Sequence, residues 1–144
     1  WFAHEQPFAF DSGPQRLHGG ERRFWNGTPC IPAYCAARPG FAITAEIGGD
    51  AIREKSLRLT SRILALADEC GFPVVSPREE ARRGGTVCLD VPGADKVCAR
   101  LVAQDVLLDY RPGVGIRLAP HHYTRDDEVD EVMVRVRRAV DAER

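Results

Sequence analysis

The chain has 144 residues, of which 44% are hydrophobic and 28% are charged. This length suits one ordinary domain with a sizeable core, and the composition excludes collagen-like and disordered chains. The 20 Lys and Arg residues nearly balance the 21 Asp and Glu residues, which gives a net charge of −1. The chain therefore lacks the excess of positive charge that is typical of nucleic-acid-binding proteins. The absence of any run of 18 apolar residues argues against a membrane partner.

The five cysteines are an odd number and contain no C-x-x-C pair, which predicts reduced thiols. Together with the lack of a secretory signal sequence, this favours a cytoplasmic protein. His121 and His122 are adjacent, but no third ligand lies at a suitable spacing, so no metal site is predicted. The opening residues around Trp1 lack an initiator Met and resemble the interior of a longer chain.

Residues 1–40 are rich in aromatic side chains, Pro and Gly, with little sustained periodicity. Such a stretch cannot form a core by itself, and we expect it to lie against other structure. A short helix is predicted from Ile31 to Ala37, because Pro39 and Gly40 are helix-terminating residues.

A longer helix is predicted from Asp50, which is a suitable N-cap, to Cys70. Gly71 is expected to adopt the left-handed conformation that ends a helix, with Pro73 just beyond it. The apolar residues of this segment recur at steps of 7, 4, 3 and 4, which is one face of a helix: Ile52, Leu59, Ile63, Leu66 and Cys70.

The remaining sequence predicts short strands and two amphipathic helices. The strands are expected at 74–77, 86–91, 106–110 and 115–118. One helix follows Pro92, and Thr124 is expected to cap the other. The loop that contains Arg82 and Arg83 is expected to be solvated. From residue 46 onward the order is α-β-β-α-β-β-α, an α+β fold with a small antiparallel or mixed sheet covered by helices.

Arg117 is the residue whose position most strongly suggests a site. In the strand 115–118, Ile116 and Leu118 point to one face of the sheet and Arg117 points to the other. A guanidinium in a short apolar strand is a good fork for a carboxylate ligand. An arginine paired with a local Asp, or simply facing solvent, fits the same pattern, and the sequence pattern leaves both interpretations open.

Two segments near the start of the chain contain further candidates. Gly27 and Thr28 precede a predicted helix, where free backbone N–H groups and a hydroxyl can hold an anion. The same residues also fit an ordinary helix start. His4 lies beside Glu5 and is either an oriented base or simply a packed or solvated histidine.

Several segments, taken in order, resemble kynureninases. The opening residues 1–10 are similar to their W-[FW]-[AG]-H-E-x-P-F-x-F stretch, and residues 23–29 to their R-F-x-x-G-T-P element. The helix start at 52–60 also matches. Further matches follow in the family's order at 75–77, 83–85, 115–120 and 123–124.

This resemblance implies a pyridoxal-phosphate (PLP) enzyme of fold type I that hydrolyses kynurenine to anthranilate and alanine. Residues 1–45 would then end the large domain and link it to the small one, while residues 46–144 would form the C-terminal small domain of a homodimer subunit. Arg117 matches the arginine that binds the substrate α-carboxylate. Trp1 and Thr28 match residues that contact the cofactor phosphate, and His4 and Gly27 match positions near the substrate's aryl side.

The resemblance also implies that this chain does not act alone. The family's Schiff-base lysine, the aspartate at the pyridine nitrogen and the ring-stacking aromatic residue all lie upstream of Trp1. The lysines that are present, Lys55 and Lys96, do not match the Schiff-base position, so no catalytic residue is assigned here. Two alternatives stay open: a free-standing domain that serves as a non-catalytic interaction module, and part of another class V aminotransferase-fold enzyme.

Overall fold

The computed structural model describes residues 2–143 of the chain. The chain divides into two compact units, Trp1–Glu46 and Ile47–Arg144. Each unit has its own secondary structure.

The first unit consists mainly of loops. An antiparallel bridge joins His4 to Leu17, and next to it the N–H of Glu5 donates to the carbonyl of Arg16 at 2.9 Å. A 3-10 helix, Glu21–Phe24, precedes helix α1, Ile31–Ile47. Among the described residues 2–46, none is buried. This unit therefore has no hydrophobic core of its own.

Helix α1 does not end at Pro39, as the sequence predicts, but continues through it to Ile47. A proline lacks its own N–H and so removes one backbone hydrogen bond, which kinks a helix more readily than it ends one. The hydroxyl of Thr44 donates to the carbonyl of Gly40 at 2.9 Å, one turn earlier. Helix α1 continues for two further turns beyond the proline, and these turns include the good helix formers Ala42, Ala45 and Glu46.

Helix α2, Gly49–Cys70, opens the second unit. Its N-cap is Gly48 rather than Asp50, which instead lies in the first turn. A carboxylate there still faces the positive end of the helix dipole. The prediction for Gly71 is confirmed, because this residue has a φ of 69° and ends the helix in the left-handed conformation.

The sheet has three short strands, β1 Val87–Leu89, β2 Asp109–Arg111 and β3 Gly115–Leu118. They are antiparallel in the order β1-β3-β2. The strand predicted at 74–77 is reduced to one bridge between Val74 and Leu89. Pro73 and Pro77 bracket this segment, and proline cannot donate to a ladder, so it pairs only briefly along the edge.

Helices α3, Ala94–Val102, and α4, Asp126–Asp141, complete the unit. Thr124 is not the cap of α4: its hydroxyl accepts from the N–H of His121 at 3.0 Å. Arg125 is the N-cap instead, and its N–H donates to the Glu128 carboxylate at 2.7 Å. The predicted α+β class is confirmed, and the sheet is antiparallel.

One face of the sheet carries the core. Helices α2 and α3 pack against it, and α4 packs against α2 and α3. The four strand residues of the core are Val87, Leu89, Ile116 and Leu118. The alternation within β1 and β3 therefore places Cys88 and Arg117 on the opposite face.

Candidate functional site

The candidate site is on the sheet face opposite the core. In the antiparallel register, Arg117 is paired with Cys88 on one side and with Asp109 on the other. Directly opposed residues of neighbouring antiparallel strands point to the same face. Three side chains from three strands, Cys88, Arg117 and Asp109, therefore lie together on the sheet face that the helices do not cover.

Arg117 and Asp109 form a bidentate salt bridge, in which two N–H groups donate to the two carboxylate oxygens. Nε of Arg117 donates to Oδ1 of Asp109 at 2.9 Å, and Nη2 donates to Oδ2 at 2.6 Å. Both side chains are 40% exposed. Arg117 is therefore paired with a local Asp, which is one of the interpretations that the sequence leaves open.

Asp109 also binds a second arginine. Nη2 of Arg111 donates to Oδ2 of Asp109 at 3.0 Å, from two residues further along β2. The hydrogen bond from Arg117 lowers the pKa of Asp109 below its ordinary value of 3.8, and the positive charges of both arginines act in the same direction. The same contact raises the pKa of Arg117. Asp109 and Arg117 therefore both remain charged at neutral pH.

Gly115 brings β3 close enough to β1 to build this face. Its φ is +104°, a conformation that side-chain-bearing residues rarely adopt. A Cβ at this position would lie 2.1 Å from the carbonyl oxygen of Leu89. Only glycine permits that approach, which places Arg117 two residues later.

The prediction of a solvated loop is wrong for Arg83, whose residue exposure is 3%. Its Nε donates to Oγ1 of Thr60 at 3.2 Å, and its Nη2 donates to Oγ of Ser61 at 2.9 Å. Its Nη1 donates to the carbonyl of Arg78. Arg83 therefore fastens its own loop to helix α2. The neighbouring Arg82 is exposed, as predicted.

A polar residue within the buried stripe of α2 could have indicated this contact. Thr60 is buried and lies three and four residues before the buried Ile63 and Leu64. Its hydroxyl donates to the carbonyl of Ser56 at 2.8 Å and so has an acceptor position free for a donor from elsewhere. Sequence alone does not reveal which arginine supplies that donor.

The other candidate residues belong to the first unit. Nδ1 of the half-buried His4 accepts from the N–H of Gln6 at 3.0 Å. Gly27 and Thr28 lie at a bend between the 3-10 helix and α1. Thr28 is exposed, and a Cβ at Gly27 would meet no atom within 4 Å. Trp1 lies outside the described residues.

Between residues 2 and 143, no group of three His, Cys, Asp or Glu side chains is arranged to hold a metal ion. Of the two lysines, Lys96 lies 3.6 Å from the Glu143 carboxylate, and Lys55 is half-buried on α2. None of the described helices is long and apolar enough to cross a membrane.

Comparison with known proteins identifies the family. The family described as "Kynureninase C-terminal domain" matches residues 52–136, more than half of the chain. The chain belongs to the kynureninase family. The match begins in α2 and ends in α4, and it includes Arg83, Asp109 and Arg117.

Individual kynureninases agree with this assignment. The chain is 31% identical over 125 residues to the kynureninase of Koribacter versatilis (strain Ellin345), covering 83% of this chain and 30% of that protein. It is 34% identical over 127 residues to the kynureninase of Shouchella clausii (strain KSM-K16), covering 83% and 29%. The chain therefore spans less than a third of the length of these curated relatives.

A solved structure supports the fold. The apo structure of cysteine desulfurase from Thermococcus onnurineus NA1 has a TM-score of 0.75 with this chain at 22% identity, covering 89% of this chain and 36% of that one. At this identity the likeness concerns the fold. It agrees with the α+β class of this chain.

Proposed function

We propose that this chain forms the C-terminal part of a PLP-dependent kynureninase subunit, which hydrolyses kynurenine to anthranilate and alanine. Membership of the kynureninase family carries the proposal. Arg117 supports it because its guanidinium lies on the sheet face opposite the core, 40% exposed, where a small ligand can reach it.

Arg117 would bind the α-carboxylate of the amino-acid substrate. A guanidinium presents paired N–H donors in one plane, which match the two oxygens of a carboxylate. The contact would fix the substrate's orientation before reaction, and such positioning lowers the barrier of the chemical step. His4 and Gly27 would lie near the aryl end of the same substrate.

Thr28 and Trp1 would hold the phosphate of PLP. The described structure fits this role for Thr28, because its side chain is exposed at a bend just before α1 and its hydroxyl has no hydrogen-bond partner among residues 2–143. PLP, when bound, supplies an electron sink for bond cleavage at the amino-acid substrate. A hydroxyl that donates to the phosphate would anchor the cofactor at its non-reacting end.

Three further assignments belong to the proposal. Residues 1–45 would end the large domain and link it to the small domain of residues 46–144. The complete subunit would form a homodimer. The protein would be cytoplasmic, which the five free cysteines favour, since reduced thiols are typical of that compartment.

The test uses a complete subunit that carries this chain after the upstream residues of a full-length kynureninase. Anthranilate release is followed with kynurenine and with its carboxamide, which lacks the substrate's negative charge. Arg117→Ala should reduce kcat/KM for kynurenine at least about 30-fold and change that for the carboxamide little, because only kynurenine loses a charge-assisted contact.

Arg78→Ala is the matched control, because Arg78 also forms a two-pronged pair, with Asp68, at a similar exposure. It should leave both rates unchanged. An equal loss for kynurenine and its carboxamide in the Arg117 variant would contradict carboxylate binding. Absence of anthranilate release by the unaltered complete subunit would contradict the proposed reaction as a whole.

A further inference from the structure

We infer that Asp109 is a positioning residue, which holds one edge of the Arg117 guanidinium so that the opposite edge is presented to the substrate carboxylate. This inference rests on the proposed function, because it assumes that Arg117 meets that carboxylate. Arg117 could bind the substrate carboxylate without Asp109, so the contact between Arg117 and Asp109 needs an explanation of its own.

Only one edge of the Arg117 guanidinium is bound within the described chain. Arginine has five N–H donors, and a carboxylate can bind either the Nε and Nη2 edge or the Nη1 and Nη2 edge. Asp109 occupies the first edge, with distances of 2.9 and 2.6 Å. Among residues 2–143, the Arg117 guanidinium makes no further hydrogen bond, so its Nη1 edge remains available for a second carboxylate.

Asp109 is itself held from two strands. Arg117 reaches it from β3, and Arg111 reaches its Oδ2 from two residues along β2 at 3.0 Å. Arg111 thus holds Oδ2 of Asp109 from the same strand, and a carboxylate held in this way restricts the rotamers of Arg117. The guanidinium of Arg117 is therefore ordered before a ligand arrives, which reduces the conformational entropy lost on binding.

The charges of the cluster also suit a monoanion. Arg111 and Arg117 contribute two positive charges and Asp109 one negative charge, so the group carries +1. One ligand carboxylate neutralises it. Removing the charge of Asp109 would raise the cluster to +2, which by itself attracts an anion more strongly.

Loss of Asp109 thus has two opposing effects, and exposure indicates which is larger. At a site that is 40% exposed, an added unit charge is screened by water and salt. Without its two hydrogen bonds to Asp109, Arg117 is free to adopt other rotamers. We therefore expect weaker substrate binding overall, with the loss in orientation exceeding the gain in charge.

The experiment compares Asp109→Asn with Asp68→Asn in the complete subunit, because both substitutions remove an exposed carboxylate from a two-pronged arginine pair. Asp109→Asn should raise KM for kynurenine about 10-fold and change kcat less than about threefold, since orienting contacts behind a binding group typically contribute on that scale. Asp68→Asn should leave both parameters unchanged. KM for the carboxamide should be insensitive to either substitution.

An unchanged or lowered KM in Asp109→Asn would overturn the inference, because it would mean that Asp109 competes with the substrate for Arg117. Unfolding midpoints are measured in parallel, and a KM change that follows lost stability in both variants equally would also overturn it. This failure is distinct from failure of the proposed function, in which Arg117→Ala itself leaves the kinetics for kynurenine unchanged.

Discussion

Helices α1 and α2 follow one another in sequence and both contain large apolar side chains, yet only α2 buries any of them. In α2 the buried residues form a single stripe that includes Leu59 and Ile63. In α1, Phe41 and Ile43 are two residues apart, which separates them by about 200° around a helix. The difference shows that the arrangement of apolar residues, rather than their number, allows a single face to become a core.

The same contrast extends to the two units. All the buried hydrophobic residues among the described positions lie between Leu59 and Val140, and none lies in residues 2–46. A helix that is apolar on several sides is typical of one covered by several surfaces. The first unit therefore depends on contacts beyond its own residues, whereas the second carries the residues of a complete core.

The largest expected loss of stability is that of a substitution at Gly115, in the second unit. Gly115→Ala places a Cβ 2.1 Å from the Leu89 carbonyl oxygen, so β1 and β3 must separate. We expect a loss of at least about 4 kcal/mol in the free energy of unfolding, measured by chemical denaturation, because a backbone clash adds to an unfavourable φ.

Two other glycines provide matched controls for Gly115. Gly113→Ala has a positive φ but open space around the new Cβ, and should cost only about 1 kcal/mol. Gly40→Ala lies within α1 and should raise helicity by circular dichroism, since alanine is favoured over glycine by about 1 kcal/mol in a helix. Equal losses at Gly115 and Gly113 would refute the clash.

A matched pair of isoleucines sharpens the comparison of the two helices. Ile63 in α2 is 1% exposed, and Ile43 in α1 is 53% exposed. Ile63→Ala should lower the free energy of unfolding by about 2–5 kcal/mol through lost burial and a cavity. Ile43→Ala should change it by less than about 0.5 kcal/mol. Similar losses for both would mean that α1 contributes to the same core.

The smallest expected effect concerns the buried polar contact of Arg83. Arg83→Met keeps an apolar stem but leaves the hydroxyl of Thr60 and the carbonyl of Arg78 without their donor. We expect a loss of about 2 kcal/mol, against almost none for the exposed Arg82→Met. Thr60→Val should cost less in the Arg83→Met background than alone, because the two groups are partners. Additive losses would contradict the contact.

The sequence predicted the elements whose signals are local. The apolar stripe of α2 and the alternation of β3 follow from periodicity, and Gly71 follows from the geometry of a helix end. The sequence did not predict the continuation of α1 through Pro39, because a proline inside a helix can either kink it or break it. Nor did it predict the burial of Arg83, which depends on an oxygen on another element.

The candidate site shows the same division. Alternation in β3 places Arg117 on the sheet face away from the core, and this is visible in four residues of sequence. The partnership with Asp109 depends on the register between β2 and β3, which the short turn between them sets. The three-strand cluster therefore could not be predicted from either strand alone.

The strand order β1-β3-β2 has a consequence for synthesis. The central strand, β3, follows both of its neighbours in the chain, and α4, which supplies five buried residues, follows β3. A chain growing from its N-terminus therefore exposes β1 and β2 before the strand that pairs with both of them exists. The core of this unit can close only after α4 has left the ribosome, so folding during translation cannot complete the core until then.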